Sequence, residues 1–539
     1  MGMRSFLAKD FVLVWLALVV MGLWLRPLTP VDETRAVSVA WEMWQGHEFL
    51  VPHLNGEPYS HKPPLLQWCI HILWLLFGVS DWSARLAAPL FSLGNLYLTA
   101  ALARRLWPQE AAIERLAPWL LLALPVWAVW SSLTLYDMPV TFCTLLGMLG
   151  VARAAAGLER WTWSLLAAAI GGGIVAKGPV ILLLALPTAL FAPWWMPVRP
   201  EAGWGGWYRR TGGAVAVGAL LGLAWAVPAG LAGGDEYRRL IFWGQSAGRI
   251  ANSFAHKRPL WWYLELLPVM LFPWFWWPPL WRKLRRMTPD PGQRFCLVQM
   301  LFVLAVFSLI SGKQVHYLLP AFPAVALLFA SRLVRPAAAP SRWERLPVGS
   351  VVTLAGLALL VLPLTPFSGG DGAVQMALKV PLFFKLAVFA SGLAVIFWRF
   401  DGPFAAARGV TLAMLAVLLS AHLGYREHGM ALYDMRPFAA KLAELQAAGA
   451  PVAHWSKYNG EFNFLGRLAR PIRDVESLPE LQEWLKAHPD GYLILKSRSQ
   501  KPVGDGVVFV QAYKGTRRVE LWRAAAAGDT LRRGAKLVE

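Results

Sequence analysis

Two adjacent carboxylates, Asp32 and Glu33, stand just after Pro30 in the stretch TPVDETRAV, where the first long apolar run of the chain gives way to polar sequence. A carboxylate at such a boundary can orient or deprotonate an incoming nucleophile if it faces a partly desolvated cavity. Its plain alternative is hydration of an interfacial loop. A third acid, Asp137, lies in LYDMP. Met138-Pro139 after it suits the first turn of a helix, so Asp137 can equally be an N-cap. Cations recur in other polar islands: Lys62, Arg249, His256, Lys257, Lys313 and His316, with Tyr59 and Tyr317 beside them. Lys and Arg near a bilayer commonly snorkel to the headgroups. Gathered on one face with Tyr and His, they would instead hold a phosphate at the membrane surface. Carboxylates beside phosphate-binding cations point to transfer of a group from, or to, a lipid phosphate. No GxGxxG or Walker pattern occurs, so a soluble nucleotide donor has no visible pocket. His47, His53 and His61 share one polar stretch, but their uneven spacing is that of ordinary loop residues. His61 is a weak candidate ligand for a divalent metal, and the sequence requires no cofactor.

The elements that must position these residues are membrane helices. The chain has 539 residues, is 57% hydrophobic and only 16% charged. Its mean hydropathy is +0.44, and apolar runs of about 20 residues recur, as a bilayer core requires. Thirty Trp, many near run ends as in WYLELLPVMLFPWFWWPPLW, fit an interfacial aromatic belt. The formal charge of +20 lies mostly in short clusters between apolar runs, such as WRKLRR and RLVRP. That is the pattern of cytoplasmic loops and calls for no nucleic-acid partner. Cys69, Cys143 and Cys296 all lie in apolar surroundings and indicate no disulfide framework. The first apolar run lacks a small-residue cleavage site after it and reads as an uncleaved span.

There are about fourteen apolar runs. If all crossed, ARRLW at 103–107 would fall outside and Asp137 inside, against the positive-inside rule. The run 63–79 begins with Pro63-Pro64 and carries Gln67 and His71, which suits a helix lying on the outer surface. Removing it leaves about thirteen transmembrane helices and puts the basic clusters in the cytoplasm. The islands VDETR, YSHKPP, LYDMP, AKGP, the 233–258 loop and SGKQVHY then converge on the outer face. After residue 425 the composition changes. RPFAAKLAELQAAG and LPELQEWLKAH have helical periodicity, and PVAHW, GYLILK, GVVFVQAY and RRVELWR read as strands. The fold class is therefore an α-helical polytopic membrane protein, residues 1–425 with a first external loop at about 30–80. A small C-terminal α/β domain, 426–539, would lie on the outer side.

The stretch DETRAVSVAWEMWQGHEFLVPHLNGEPYSHKPPLLQW resembles the first external loop of the lipid A 4-amino-4-deoxy-L-arabinose transferase family, integral-membrane glycosyltransferases of the GT-C fold. The likeness continues through DWSARLAAPLF, LYDMPVTF, AKGPVILLL, FWGQSAGRI, AHKRPLWWYL and HYLLPAFPAVALL, over roughly residues 10–335. It implies a sugar donor linked through phosphate to undecaprenol and inverting transfer on the periplasmic face of the bacterial inner membrane. The acceptor would be lipid A or another periplasmic glycan or protein, and the enzyme a monomer. Asp32 falls on the aspartate expected at the reaction centre, with Glu33 beside it, and Asp137 on the second acid. Tyr59, Lys62, Arg249 and Tyr317 fall on donor-phosphate positions, with His256, Lys257 and His316 flanking them. This chain departs from the family pattern with His61-Lys62 where Glu-Lys is usual, and Gln245-Ser246 where Glu-His is usual. Both changes lie near the expected sugar position and leave the sugar's identity and any family metal site open. A protein O-mannosyltransferase-like enzyme shares the Asp-Glu loop and a lipid-phosphate donor. A lipid-linked sugar transporter or flippase would instead show internal repeats and charged helix breaks at the midplane, and an assembly subunit would tolerate loss of Asp32.

Overall fold

A computed structural model describes residues 10–157, 161–244, 257–285, 288–334, 339–365, 372–498, 506–515 and 517–532. Helix α1, Phe11–Trp24, leads into α2, Asp32–Gln45. The two acids in the first turn of α2 complement the positive end of its dipole. Its buried face carries Ala36, Val37, Val39, Ala40 and Met43 at helical spacing. A hairpin follows, β1 His53–Leu54 and β2 Glu57–Pro58, turned by Asn55 and Gly56 at φ of 58° and 82°. Asn-Gly is the pair that best tolerates two left-handed residues in a two-residue turn.

Helix α3, Leu65–Phe77, buries Leu66, Gln67, Ile70, His71, Leu73 and Trp74 and exposes Ile72, Leu75, Leu76 and Phe77. Its 13 residues reach only about 20 Å, short of a hydrocarbon core of roughly 30 Å. Further along the chain, beyond helices that include Ala87–Leu106 and Ala111–Leu122, α4, Asp137–Ala154, and α5, Thr162–Lys177, pack on each other, and α6, Gly203–Ala232, packs on α5. Glycines permit that last approach: a Cβ on Gly218 would lie 2.8 Å from the Ala167 carbonyl.

Among the described residues six helical stretches are long and apolar enough to cross a membrane, and a pair bent by 93° at residues 379–382 makes a seventh. The remaining runs counted in the sequence are shorter or broken. The run 178–195 divides into Val180–Ala185, Pro187–Leu190 and Ala192–Trp195. The run 260–281 divides into Trp262–Met270, Trp274–Trp276 and a helix from Pro278. Hydropathy does not register these interruptions, but proline lacks the N–H that a continuous helix needs.

Beyond residue 425 a five-stranded sheet has the order β4-β3-β5-β7-β6. The four segments with strand character are β3 Val452–Trp455, β5 Tyr492–Ser497, β6 Val507–Tyr513 and β7 Arg517–Arg523. A fifth, β4 Arg473–Val475, has too few residues to show alternation. β3 runs parallel to β4 and β5, and β7 antiparallel to β5 and β6. Helices α7, Arg436–Ala447, and α8, Leu478–Ala487, cover it. Phe438 and Leu442 of α7 share one core with Ile494 and Leu521, while Leu481 and Trp484 of α8 pack with Leu493 and Trp522.

Candidate active site

Asp32 opens α2 with its carboxylate exposed, held one helical turn on by Arg35 at 2.5 Å. Glu33 points the other way and is 1% exposed. Its carboxylate accepts the Arg26 guanidinium and the backbone N–H groups of Thr29 at 3.0 Å and Thr134 at 2.8 Å. Arg26 also donates to the Ser132 carbonyl at 2.9 Å, and Arg85 donates to the Leu23 and Arg26 carbonyls at 3.0 and 2.8 Å. Burial pushes the Glu33 carboxyl up, but Arg26 and Arg85 outweigh that and hold it below the usual glutamate range. Both oxygens are therefore engaged inside the protein. Glu33 locks the start of α2 to the segment before Asp137, and Asp32 is left facing outward.

Asp137 is the first residue of α4 and is buried. Lys177, the last residue of α5, donates to its Oδ1 at 2.6 Å, and His316 Nε2 lies 4.0 Å from the same oxygen. The His316 ring stacks on Trp130, centroids 5.7 Å apart, and meets Tyr317 edge-on at 4.9 Å. Lys177 Nζ lies 5.3 Å from the centre of the Tyr317 ring. Lys62 approaches from the first loop, 5.9 Å over the ring of Tyr136, whose hydroxyl accepts from Gln67 at 2.7 Å. Tyr59 is buried with its ring 5.2 Å from that of His61. Asp32, Lys62, Lys177 and Asp137 all lie within electrostatic reach of His316.

The structure thus gathers Asp32, Lys62, Asp137, His316 and Tyr317 from the residues singled out in the sequence, with Tyr59 near Tyr136. Lys257 pairs through its backbone with Gly312, close in sequence to His316. Lys313 is buried, with its ammonium donating to the Ile310 and Arg258 carbonyls at 2.6 and 3.1 Å. That engagement removes it from the set of cations open to a ligand. Arg249 and His256, with Gln245 and Ser246, lie outside the described residues. Among the described residues no three His, Cys, Asp or Glu side chains converge as metal ligands, His61 included. Lys177, Trp130, Arg26 and Arg85 were not legible as site residues. A lysine ending an apolar helix reads as a snorkelling group, and lone arginines beside apolar runs read as boundary markers.

Chemically the cluster has two ends. At the buried end Asp137 is matched by Lys177, and Lys62 lies within electrostatic reach of the same carboxylate. At the mouth stands the Asp32 carboxylate.

The family model described as dolichyl-phosphate-mannose-protein mannosyltransferase matches residues 61–227, a span that includes Lys62, Asp137 and Lys177. The chain is 30% identical over 407 residues to an undecaprenyl phosphate-alpha-4-amino-4-deoxy-L-arabinose arabinosyl transferase of Pseudomonas aeruginosa, covering 70% of this chain and 68% of that protein. It is 31% identical over 391 residues to the transferase of the same name in Pseudomonas paraeruginosa, with 70% and 68% covered. Its fold matches the crystal structure of ArnT from Cupriavidus metallidurans in the apo state, with a TM-score of 0.76 at 20% identity over 97% of this chain and 99% of that one. The same protein bound to undecaprenyl phosphate matches with a TM-score of 0.74 over 96% and 98%. On the length and level of its likeness to the Pseudomonas enzymes, the chain belongs to the undecaprenyl phosphate-alpha-4-amino-4-deoxy-L-arabinose arabinosyl transferase family.

Proposed function

We propose that this glycosyltransferase moves 4-amino-4-deoxy-L-arabinose, or a closely related sugar, from an undecaprenyl-phosphate-linked donor to lipid A or another periplasmic acceptor, with inversion. The observation that carries the reading is the convergence of Lys62, Lys177, Asp137 and His316 beside an outward-facing Asp32. In the reaction an acceptor oxygen attacks the anomeric carbon, and the bond from that carbon to the phosphate oxygen breaks. The electron pair leaves with undecaprenyl phosphate, which gains negative charge. Lys62 and Lys177 neutralise that charge as it develops, which lowers the barrier electrostatically. Asp32 faces the attacking oxygen. A hydroxyl acceptor would give it its proton, whereas a phosphate acceptor is already ionised and would only be oriented. Glu33 acts through its hydrogen bonds as a positioning residue.

The finer topology belongs to the same proposal. About thirteen crossings, several broken at proline, would carry residues 1–425, with α3 lying on the outer surface. Residues 426–539 would form a periplasmic α/β domain, and the enzyme would work as a monomer in the inner membrane. The short length of α3 and its apolar exposed face support this.

The test is mass spectrometry of lipid-linked sugars and lipid A from cells expressing wild type, Asp32→Asn or Lys62→Ala at matched levels. Build-up of an undecaprenyl-phosphate sugar in both variants, with loss of one glycosylated product, is the expected result and names donor and acceptor together. Unchanged lipid profiles in both variants would refute the catalytic assignment.

A further inference from the structure

The α/β segment is fastened to the helix that carries Asp32. Ser38, on the same helix as Asp32, donates its hydroxyl proton to the Gly460 carbonyl at 2.8 Å and accepts from the Phe464 N–H at 3.1 Å. Next to Gly460, Glu461 is fully buried and accepts from Lys496 at 2.6 Å and from the Tyr513 hydroxyl at 3.1 Å. Tyr513 ends β6, and the residue after it, Lys514, begins the turn to β7. Lys514 has φ of 51°, Gly515 has φ of 80°, and the Lys514 N–H donates to the Leu432 carbonyl at 2.8 Å. A continuous run of contacts thus leads from α2 to Tyr513 and Lys514 at the end of β6.

Lys514 and Tyr513 lie within electrostatic reach of Asp32. The Asp32 carboxylate acts electrostatically on Lys514 and Tyr513 of the α/β segment, and on His316 and Tyr136 of the helical part. The nearby charges do not cancel. Glu461 is matched by Lys496 and Asp32 by Arg35. Lys514 is half-buried, makes no ion pair among the described residues, and has its ammonium 5.7 Å from the centre of the Tyr513 ring. A partly desolvated, unmatched ammonium favours an incoming anion.

We infer that Lys514 is a specificity-determining residue, which draws an anionic group of the acceptor to the mouth of the site and so places the attacking oxygen at Asp32. Two positive poles then flank Asp32. Lys62 and Lys177 serve the donor phosphate, and Lys514 on the α/β hairpin serves an acceptor bearing phosphate close to its nucleophilic oxygen. The inference rests on the transferase reading above and adds from which side of Asp32 the acceptor enters and which residue recognises it.

The experiment is steady-state kinetics of the full-length protein in nanodiscs, with an undecaprenyl-phosphate sugar as donor. Lipid A and enzymatically dephosphorylated lipid A are the acceptors. Lys514→Ala should raise the acceptor KM roughly tenfold, the scale of one lost charge-assisted hydrogen bond. Lys514→Glu should raise it further, and Lys514→Arg should restore it. Donor KM should stay at the wild-type value in all three, which also shows that they are folded. With dephosphorylated lipid A, wild type and Lys514→Ala should behave alike. An unchanged acceptor KM in Lys514→Ala, or an equal rise with both acceptors, would overturn the inference and leave the transferase reading standing. If wild type modifies neither acceptor and Lys62→Ala matches it, the transferase reading itself falls and takes this inference with it.

Discussion

The Glu33 carboxylate and the Thr134 backbone N–H are joined by a 2.8 Å hydrogen bond that spans 101 residues of chain. It ties the helix that begins at Asp32 to the segment that ends at Asp137. Glu33→Gln should therefore act through geometry and stability together. It leaves Arg26 and Arg85 buried without their anion, at a cost of about 3–5 kcal/mol. The thermal midpoint should fall accordingly. The pH dependence has a definite sign, because the folded state lowers the Glu33 pKa. Its stabilising contribution is complete above the unfolded glutamate value of about 4.3 and is lost as pH falls through the lower folded value. Thermal melts of wild type should steepen downward in that acid window, and the glutamine variant should lack this component. Identical acid profiles would show that Glu33 is not held ionised by the arginines.

The 2.6 Å contact between Lys177 and Asp137 makes a second prediction. Lys177→Met alone leaves a buried carboxylate unmatched and should destabilise the protein by about 3–5 kcal/mol. Combining it with Asp137→Asn removes both charges and should recover much of that loss. Activity should not return with stability, because the positive charge at the buried end is gone. A double-mutant cycle read by thermal melts and by turnover separates the two. Recovery of turnover in the double variant would reduce the pair to a structural role.

The legible parts of this site were those whose chemistry contrasts with their surroundings. Asp32, Lys62 and His316 interrupt apolar sequence, so they stand out as polar islands even before their convergence is known. The strands Tyr492–Ser497 and Arg517–Arg523 were legible because their hydrophobic runs are bounded by turn residues. Lys177 was not, because a lysine closing a helix has an ordinary explanation in the dipole and the headgroups. Arg26 and Arg85 act by filling carbonyl and carboxylate acceptors brought together from distant segments, and no local pattern encodes that. The broken helices were hidden for another reason: hydropathy averages over a window and passes smoothly across prolines.

The grip of the α/β segment on the first loop can be loosened at one residue. Asn55 donates from its side chain to the Ile472 carbonyl at 2.7 Å and accepts the Ile472 N–H at 2.8 Å. Asn55→Ala removes both bonds, a loss of roughly 1–3 kcal/mol. Limited proteolysis of the membrane-embedded protein should then cut the connection near residues 425–435 faster than in wild type. Because the same segment carries Lys514, the acceptor KM should rise while the donor KM holds. Unchanged cleavage would mean that the remaining contacts, those of Ser38, Trp41 and Glu42 among them, keep the segment seated.

Topology offers the remaining prediction, and α3 decides it. If α3 lies on the outer surface, the loop after Arg104 and Arg105 faces the cytoplasm. If α3 crosses, that loop faces the periplasm, and the positive-inside bias of the first half is inverted. Gln109→Cys, in a background with the three native cysteines replaced, reports directly. In intact spheroplasts a membrane-impermeant maleimide should leave Gln109→Cys unlabelled and should label Glu483→Cys, on the exposed side of α8. Permeabilisation should make both reactive. Labelling of Gln109→Cys in sealed cells would require α3 to span, although its 13 residues are shorter than the roughly 20 that a hydrocarbon core demands. Asp32 and Asp137 would then open to opposite faces, against their shared electrostatic reach to the His316 ring.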